Sequence, residues 1–303
     1  MPAVLDLVEI GFRKELDPQG WKMLQQMRRL TQSGALARIF YSTSGDAAGF
    51  VCVKNGQIIG NLSLRYASPR SQHGRMIGNV VVHPDYRGVG IGRALMEKGI
   101  EAARNQGAAW VGLEVRADNQ IACQLYEHLG FRPVGTIEHM LRPEGLPWPQ
   151  AQRPAPAWRV SKSHDNHQWR HLAGLMHAYD QRLILEVESR EYLFGGFERR
   201  LNQWLSGQSE RAWVYETDEG EVRMAIRLQT DRRFKFLIWE LLLHPNCTEQ
   251  ETQEMMAQCL AGSRHFPTWP VVALVPEHRP LLQSLKATGF EIHRTLQQMI
   301  LDL

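Results

Sequence analysis

The sequence predicts an α/β protein made of two tandem copies of one unit. Three observations predict it. An apolar run, Val80 to Val82, stops at His83-Pro84 and leads through a glycine-rich loop into a long helical pattern, the signature of strand–loop–helix. The same succession of hairpin, strand ending in His-Pro, helix, strand, short helix and strand returns in the second half of the chain. The length, 303 residues, suits two domains of roughly 150 residues each.

Taken in order, Leu5 to Phe12 reads as a first strand, because Leu5 and Leu7 alternate with Asp6. Residues 18–38 carry helical spacing around Trp21, Leu24, Met27 and Leu30. Gly49–Val53 and Ile58–Tyr66 flank Asn55-Gly56, a two-residue hairpin turn. Met76–Val82 is the next strand, and the loop after it opens a helix reaching about Gln106. Trp110–Arg116 is a strand, and Gln120–Leu129 a short helix stopped by Gly130. Val134–Leu141 is the closing strand. Residues 143–156 are dense in proline and lose periodicity, as a semi-rigid linker does. The expected organisation is a first domain over 1–142, the linker over 143–156, and a second domain over 157–303.

In the second domain, Trp213–Glu216 and Val222–Leu228 repeat the hairpin, and Trp239–Pro245 lies over Gly78–Pro84. Residues 249–260 repeat the helix, and Trp269–Val275 lies over Trp110–Arg116. Leu281–Thr288, closed by Gly289-Phe290, lies over Ala122–Leu129, closed by Gly130-Phe131. A final strand is expected near His293–Leu301.

Composition narrows the function. The net charge of +3 is small and the basic residues are scattered, so nucleic-acid binding has no support. Cys52, Cys123, Cys247 and Cys259 form no CxxC pair and no disulfide framework, which suits a reducing, cytoplasmic setting. Asp6 and Glu9 break the N-terminal apolar pattern, so no signal peptide is expected, and no apolar run is long enough to span a bilayer. His167 and His171, at i and i+4, with His164 nearby, invite a metal reading. No cysteine or carboxylate completes a zinc spacing, so solvated helix residues and no metal are expected.

The loop after Val82 carries the chemistry. Gly88, Gly90 and Gly92 leave backbone N–H groups unshielded by side chains, and the helix start adds positive potential, so the segment is a phosphate cradle. It is not a P-loop, since Arg93-Ala94 follows Gly92 where Lys and Ser/Thr are required. It is not a dinucleotide fingerprint, because the sixth residue is Arg93 from Gly88 and Leu95 from Gly90.

What fits is R-x-x-G-x-G, read as Arg87-Gly88-Val89-Gly90-Ile91-Gly92, with Asn119, Ala122, Leu125-Tyr126 and Gly130-Phe131 downstream. This resembles the GNAT superfamily of acetyl-CoA-dependent N-acetyltransferases, over roughly residues 5–142 and most specifically 79–131. The resemblance implies, in each unit, a mixed and mostly antiparallel central sheet flanked by helices. It implies acetyl-CoA as cofactor, its diphosphate held by Arg87 to Arg93 and its pantetheine arm and acetyl carbonyl paired with the main chain of Val80, Val81 and Val82. Asn119 matches an asparagine that contacts the cofactor; an N-cap of the 120–129 helix is the other reading. Tyr126 matches the tyrosine that protonates the departing thiolate; a phenol is protonated at neutral pH and suits that role, and a packed aromatic is the alternative. Leu113-Glu114-Val115-Arg116 resembles the branch that acetylates the N-terminal alanine of a ribosomal protein, where the matching glutamate is proposed as base. Glu114 could equally pair with Arg116 on one strand face.

On this alignment the second copy has Thr248 for Arg87, Ala273 for Glu114, His278 for Asn119 and Leu285 for Tyr126, and it loses all three loop glycines. It is therefore expected to keep the fold and to have lost the cofactor. The expected activity is direct acetyl transfer to a primary amine, on a small molecule or a peptide. A non-catalytic acyl-CoA sensor, with the second domain as output module, is the alternative. Because two such units in one chain could satisfy the pairing seen in homodimers, a monomer is expected.

Overall fold

In a computed structural model the chain is described over residues 2–13, 21, 25, 48–67, 73–148, 157–187, 192, 208–232, 235–264 and 266–303. Apart from Trp21 and Gln25, the helix expected over 18–38 lies outside the described residues. The chain forms two compact units. The front unit draws on residues 1–115, 119–133 and 299–303, and the rear unit on 116–118 and 134–298.

The front unit begins with α1 (Pro2–Phe12). The strand expected here is a helix. Its Leu5-Asp6-Leu7 alternation is too short to separate period 2 from period 3.6. Pro2 suits a first helical position, and Arg13 pairs with Glu9 one turn back at 3.3 Å. Gly11 lets the helix settle on the sheet: a Cβ there would lie 2.1 Å from Val81 Cγ2.

The strands β1 (Ala48–Lys54) and β2 (Gln57–Tyr66) form the hairpin about Asn55-Gly56, both residues having positive φ. Next come β3 (Arg75–Val82), α2 (Ile91–Asn105), β4 (Trp110–Arg116), α3 (Gln120–His128) and β5 (Arg132–Arg142). The front order is β1-β2-β3-β4, followed by the end of the chain's last strand, β11 (Glu291–Asp302). Pairing is antiparallel up to β3, while β3 and β4 run parallel. Leu62, Leu64 and Ile77 meet Leu95, Met96 and Ile100 of α2 in one core, which Met299 completes from β11.

The rear unit contains β6 (Trp158–Val160), α4 (Asn166–Met176), α5 (Tyr179–Ile184), β7 (Gln208–Glu216), β8 (Val222–Asp231) and β9 (Phe236–Leu243). It continues with α6 (Glu249–Ser263), β10 (Val271–Pro276) and α7 (Arg279–Ala287). From the start of β11 its strands run β5-β10-β9-β8-β7-β6, with only β9 and β10 parallel among the pairs whose register is defined. Alternation divides the strands between two cores. Met224, Ile226, Leu228, Trp239 and Leu241 face α6 and α7. Ala212, Val214, Ala225 and Leu242 face α4, with Trp169 and Tyr192.

Residues 143–148 are pinned within the rear unit. The buried Arg142 guanidinium donates to the carbonyls of Thr288, Leu146 and Pro147 and lies over the Trp148 ring at 4.4 Å. Trp148 in turn stacks on Trp239 at 6.0 Å.

The ladders of the two units coincide except at one residue. Asn61 and Ser63 face Val81 and Gly78, whereas Ala225 and Arg227 face Leu242 and Glu240. Between those points β3 carries a bulge, two residues (Asn79 and Val80) against Leu62, and Asn79 takes φ 51°. The β8–β9 ladder has no such break. The extra residue corrects the alignment upstream of it: Trp239 stands at Ile77. It also puts exposed Leu274, and not Ala273, at the place of exposed Glu114.

Candidate functional site

The parallel ladder between β3 and β4 pairs Arg75, Met76 and Ile77 with Val111, Gly112 and Leu113, and goes no further. From Gly78 onward the β4 side of β3 has no strand partner among the described residues. The bulge at Asn79–Val80 breaks the other ladder at the same level. Main-chain groups near Val80 are thereby released from the sheet, and each still needs a hydrogen-bond partner. Side chains hold the bulge in place. Buried Asn61 donates from Nδ2 to the Asn79 carbonyl at 3.0 Å, and Asn79 Nδ2 donates to Ser63 Oγ at 3.3 Å. Sequence reasoning missed Asn61 and Ser63, because a polar residue in a strand carries no mark of what it will hold.

Past β3, His83 Nδ1 accepts from the Asp85 amide at 3.4 Å, and a 3-10 turn spans Pro84–Tyr86. Arg87 Nε donates to the Val82 carbonyl at 3.1 Å, which folds its side chain back over the strand end. Gly88 and Gly90 have φ of 77° and 87°, both left-handed, and Gly90 is the residue immediately before α2. Apart from its chain neighbours, neither position has an atom of the described residues within 4 Å of where a Cβ would sit, so the loop is bare. No side chain caps α2, and its first turn holds no acidic residue. Among the described residues its leading N–H groups thus lack an acceptor, and they follow a loop in which Gly88 and Gly90 are exposed and Val89 is 73% exposed. A diphosphate fits this place: oriented amides, no carboxylate in the first turn of the helix, and Arg87 and Arg93 beside it. Arg93 is also bound to Glu97 at 2.8 Å.

The first turn of α2 reaches α3. A Cβ at Gly92 would lie 3.7 Å from Leu125 Cδ2 and 3.8 Å from Val82 Cγ2. Val80, Val82 and Ile91 flank the same core cluster as Tyr126, the residue after Leu125. The Tyr126 ring is 7% exposed and tilts against Phe131 at 6.1 Å. Burial, with the Cys123 thiol beside it, pushes its phenol up to about 12. The hydroxyl therefore stays protonated across ordinary pH.

Asn119 is the N-cap of α3; its Oδ1 accepts from the Ala122 amide at 3.2 Å. Glu114 is exposed on β4, just beyond the last β3–β4 pair. Arg116 makes a bidentate pair with Asp118, at 2.8 Å through Nε.

The rear unit's corresponding helix start is closed. Thr248 Oγ1 accepts from the Glu251 amide at 3.2 Å, and Glu251 accepts from the Thr248 amide at 2.7 Å, a reciprocal capping box. Glu249 adds a second carboxylate to that first turn, and Arg223 holds Glu251 at 2.9 Å.

The sequence profile of the acetyltransferase (GNAT) family matches residues 19–131. Glucosamine 6-phosphate N-acetyltransferase of Trypanosoma brucei brucei is 30% identical over 138 residues, covering 42% of this chain and 92% of that enzyme. The chain belongs to the GNAT acetyltransferase family. The [ribosomal protein bS18]-alanine N-acetyltransferase of Escherichia coli (strain K12) is 51% identical over 53 residues, 18% of this GNAT chain. That match spans only about a third (36%) of the curated relative's own length. A solved tandem GNAT protein from the clavulanic acid biosynthesis pathway shares the fold at TM-score 0.54 and 15% identity, over 84% of this chain and 82% of the other. GNAT enzymes are acyltransferases that draw on acetyl-CoA and act on amines. No helix among the described residues is long and apolar enough to cross a membrane.

Proposed function

We propose that the front unit moves an acetyl group from acetyl-CoA to a primary amine by direct transfer, and that the rear unit is a GNAT-like copy without a working cofactor site. One contrast carries the reading: α2 opens on bare glycines with no cap, whereas α6 opens on Thr248 and Glu251, which consume their own helix start. The duplicated segments are 1–142 and 157–303, joined by 143–156. Their matching ladders and shared His-Pro turns support a common origin. The chain works as a monomer whose two copies stand in for the subunits of a dimer.

Acetyl-CoA supplies an activated thioester. Amides of Gly88 to Arg93 (with Val89 and Ile91 lending backbone only) hold its diphosphate, and Arg87 and Arg93 add charge. Main-chain groups of Val80–Val82, released by the bulge, fix the pantetheine arm and polarise the acetyl carbonyl. Asn119 has one acceptor on the α3 cap and keeps its amide donor for the cofactor. An alkylammonium must lose a proton before it attacks, and Glu114 takes that proton through water. Tyr126 gives its phenol proton to the departing thiolate, and the second proton that the nitrogen loses on becoming an amide restores the phenol. The amine-bearing acceptor is a small molecule or a peptide N-terminus; the E. coli relative, by name, acts on the alanine of a ribosomal protein.

The experiment is to follow CoA release from acetyl-CoA over a panel of amines, including peptides with N-terminal alanine. Turnover that requires amine, with Tyr126→Phe slowed and still binding CoA, supports the proposal. Binding without turnover on every amine contradicts it.

A further inference from the structure

We infer that the rear unit carries a separate ligand site, beyond the C-terminal end of α6, that takes a small aryl carboxylate. β9 runs up to the capped start of α6, and α6 returns, so its last residue, Ser263, lies toward the β9 start and the β8 end that pairs with it. A cavity of about 560 Å³ opens there, lined by Ser209, Arg211, Thr230, Arg232, Phe266 and Trp269, and also by Glu210 and Pro267. It is at the other end of the helix from the position the front unit uses for its cradle.

The cavity follows from strand alternation. Arg211 and Ser209 share the face of Trp213, whose ring meets the α6 surface at Gly262, and Thr230 and Arg232 share the face of Leu228. All four side chains therefore stand on the α6 side, past the point where α6 ends. Ser209 and Thr230 join their hydroxyls at 2.5 Å to make a polar floor. Glu210 alternates to the opposite face of β7 yet still borders the cavity, one carboxylate against two guanidiniums. Phe266 and Trp269 form the apolar wall, held by three main-chain bonds: Phe266 N–H to Ser263 at 2.9 Å, Trp269 N–H to Pro267 at 2.7 Å, and Gly145 N–H to Thr268 at 2.9 Å. The wall is preformed, and its two aromatics are only partly buried.

The Arg211 guanidinium lies over the Phe266 ring, 5.5 Å from its centroid. Neither it nor Arg232 is paired with a carboxylate among the described residues. The front unit fills the equivalent end with its own side chains. There Arg75 lies over Tyr66 at 3.5 Å and binds Gln106 at 2.9 Å, and Trp110 is buried. The rear unit leaves an arginine on an aromatic ring and a partly buried tryptophan on the wall of the cavity. Two planar guanidiniums select an anion with paired oxygens, and the aromatic wall selects a flat apolar body. The volume lies within the range of small-molecule sites. The carboxyl end of α6 opposes an anion weakly, and two arginines outweigh it.

The test is calorimetric titration of the whole chain with indole-3-acetate, its neutral isostere indole-3-acetamide, and inorganic phosphate. The expected result is saturable binding of the acid at one per chain, about tenfold or more tighter than the amide. Arg211→Gln and Arg232→Gln each weaken the acid about tenfold and leave coenzyme A affinity unchanged. Arg232 is exposed, so its variant tests the site even if the Arg211 variant folds poorly. Equal binding of acid and amide, saturation by phosphate alone, no binding of the acid, or acid binding indifferent to both substitutions would overturn the inference.

Discussion

Replacing Gly90 by alanine separates the cradle's function from its stability. At φ 87° the new Cβ enters left-handed space, which costs an L residue about 1–2 kcal/mol. Gly107 supplies the control. It follows the other end of the same helix, at φ 72°, and a Cβ there also meets nothing within 4 Å. Both variants should lose the same stability, a Tm lower by about 2–8 °C for units of this size. They should differ in ligand affinity. A methyl group beside the leading amides, or a loop that relaxes to escape strain, removes at least one charge-assisted bond worth about 1.5–3 kcal/mol. Coenzyme A should then bind about 10–150-fold more weakly to Gly90→Ala and unchanged to Gly107→Ala, by calorimetry on the whole chain. Equal affinity in the two variants would refute the argument that these amides hold the diphosphate.

Further outcomes follow at three residues. Tyr126→Phe should lower kcat by about 10²–10⁴ with CoA affinity preserved, and in wild type the Tyr126 hydroxyl should impose no alkaline limb on kcat below about pH 10. Because its folded pKa, about 12, lies above the ordinary 10, the stability it confers is complete below pH 10 and fades as pH climbs toward 12; urea midpoints of wild type and Tyr126→Phe across that window check the sign. Met299→Ala should cost about 2–5 kcal/mol in the front core although only four residues follow Met299 in the sequence; hydrogen exchange should quicken over 95–115, and a change confined to 208–243 would contradict the assignment of Met299 to the front unit. Asp165 is buried, which raises its pKa, but bonds from Arg159, the Lys162 amide and Ser161 prevail and hold it at about 2; it should contribute about 2 kcal/mol that is present above pH 4 and lost as pH falls to 2, and Asp165→Asn should abolish that acid dependence.

Much of this site was legible because its signals are local. Glycines before a helix, a His-Pro strand end and an Asn-Gly hairpin each act within a few residues, and each stands where the sequence predicted. Other features depend on partners far along the chain. Leu5-Asp6-Leu7 fits either period, and its packing on Val81 through Gly11 decides for helix. The bulge at Asn79 adds one residue to a strand whose composition is unchanged, so only the register reveals it. The placing of residues 134–142 of β5 in the rear unit and of the end of β11 in the front leaves no trace in either strand's local sequence, because a strand's own alternation does not say which neighbour it will pair with. Of the two readings of Asn119, the structure builds the cap, with its oxygen on the Ala122 amide; contact with a cofactor is a proposal.

If the uncapped start of α2 receives a diphosphate and the capped start of α6 does not, each intact chain binds one coenzyme A at saturation. Equilibrium dialysis of the whole chain counts the molecules bound; a count of two, or of none, would end that reading.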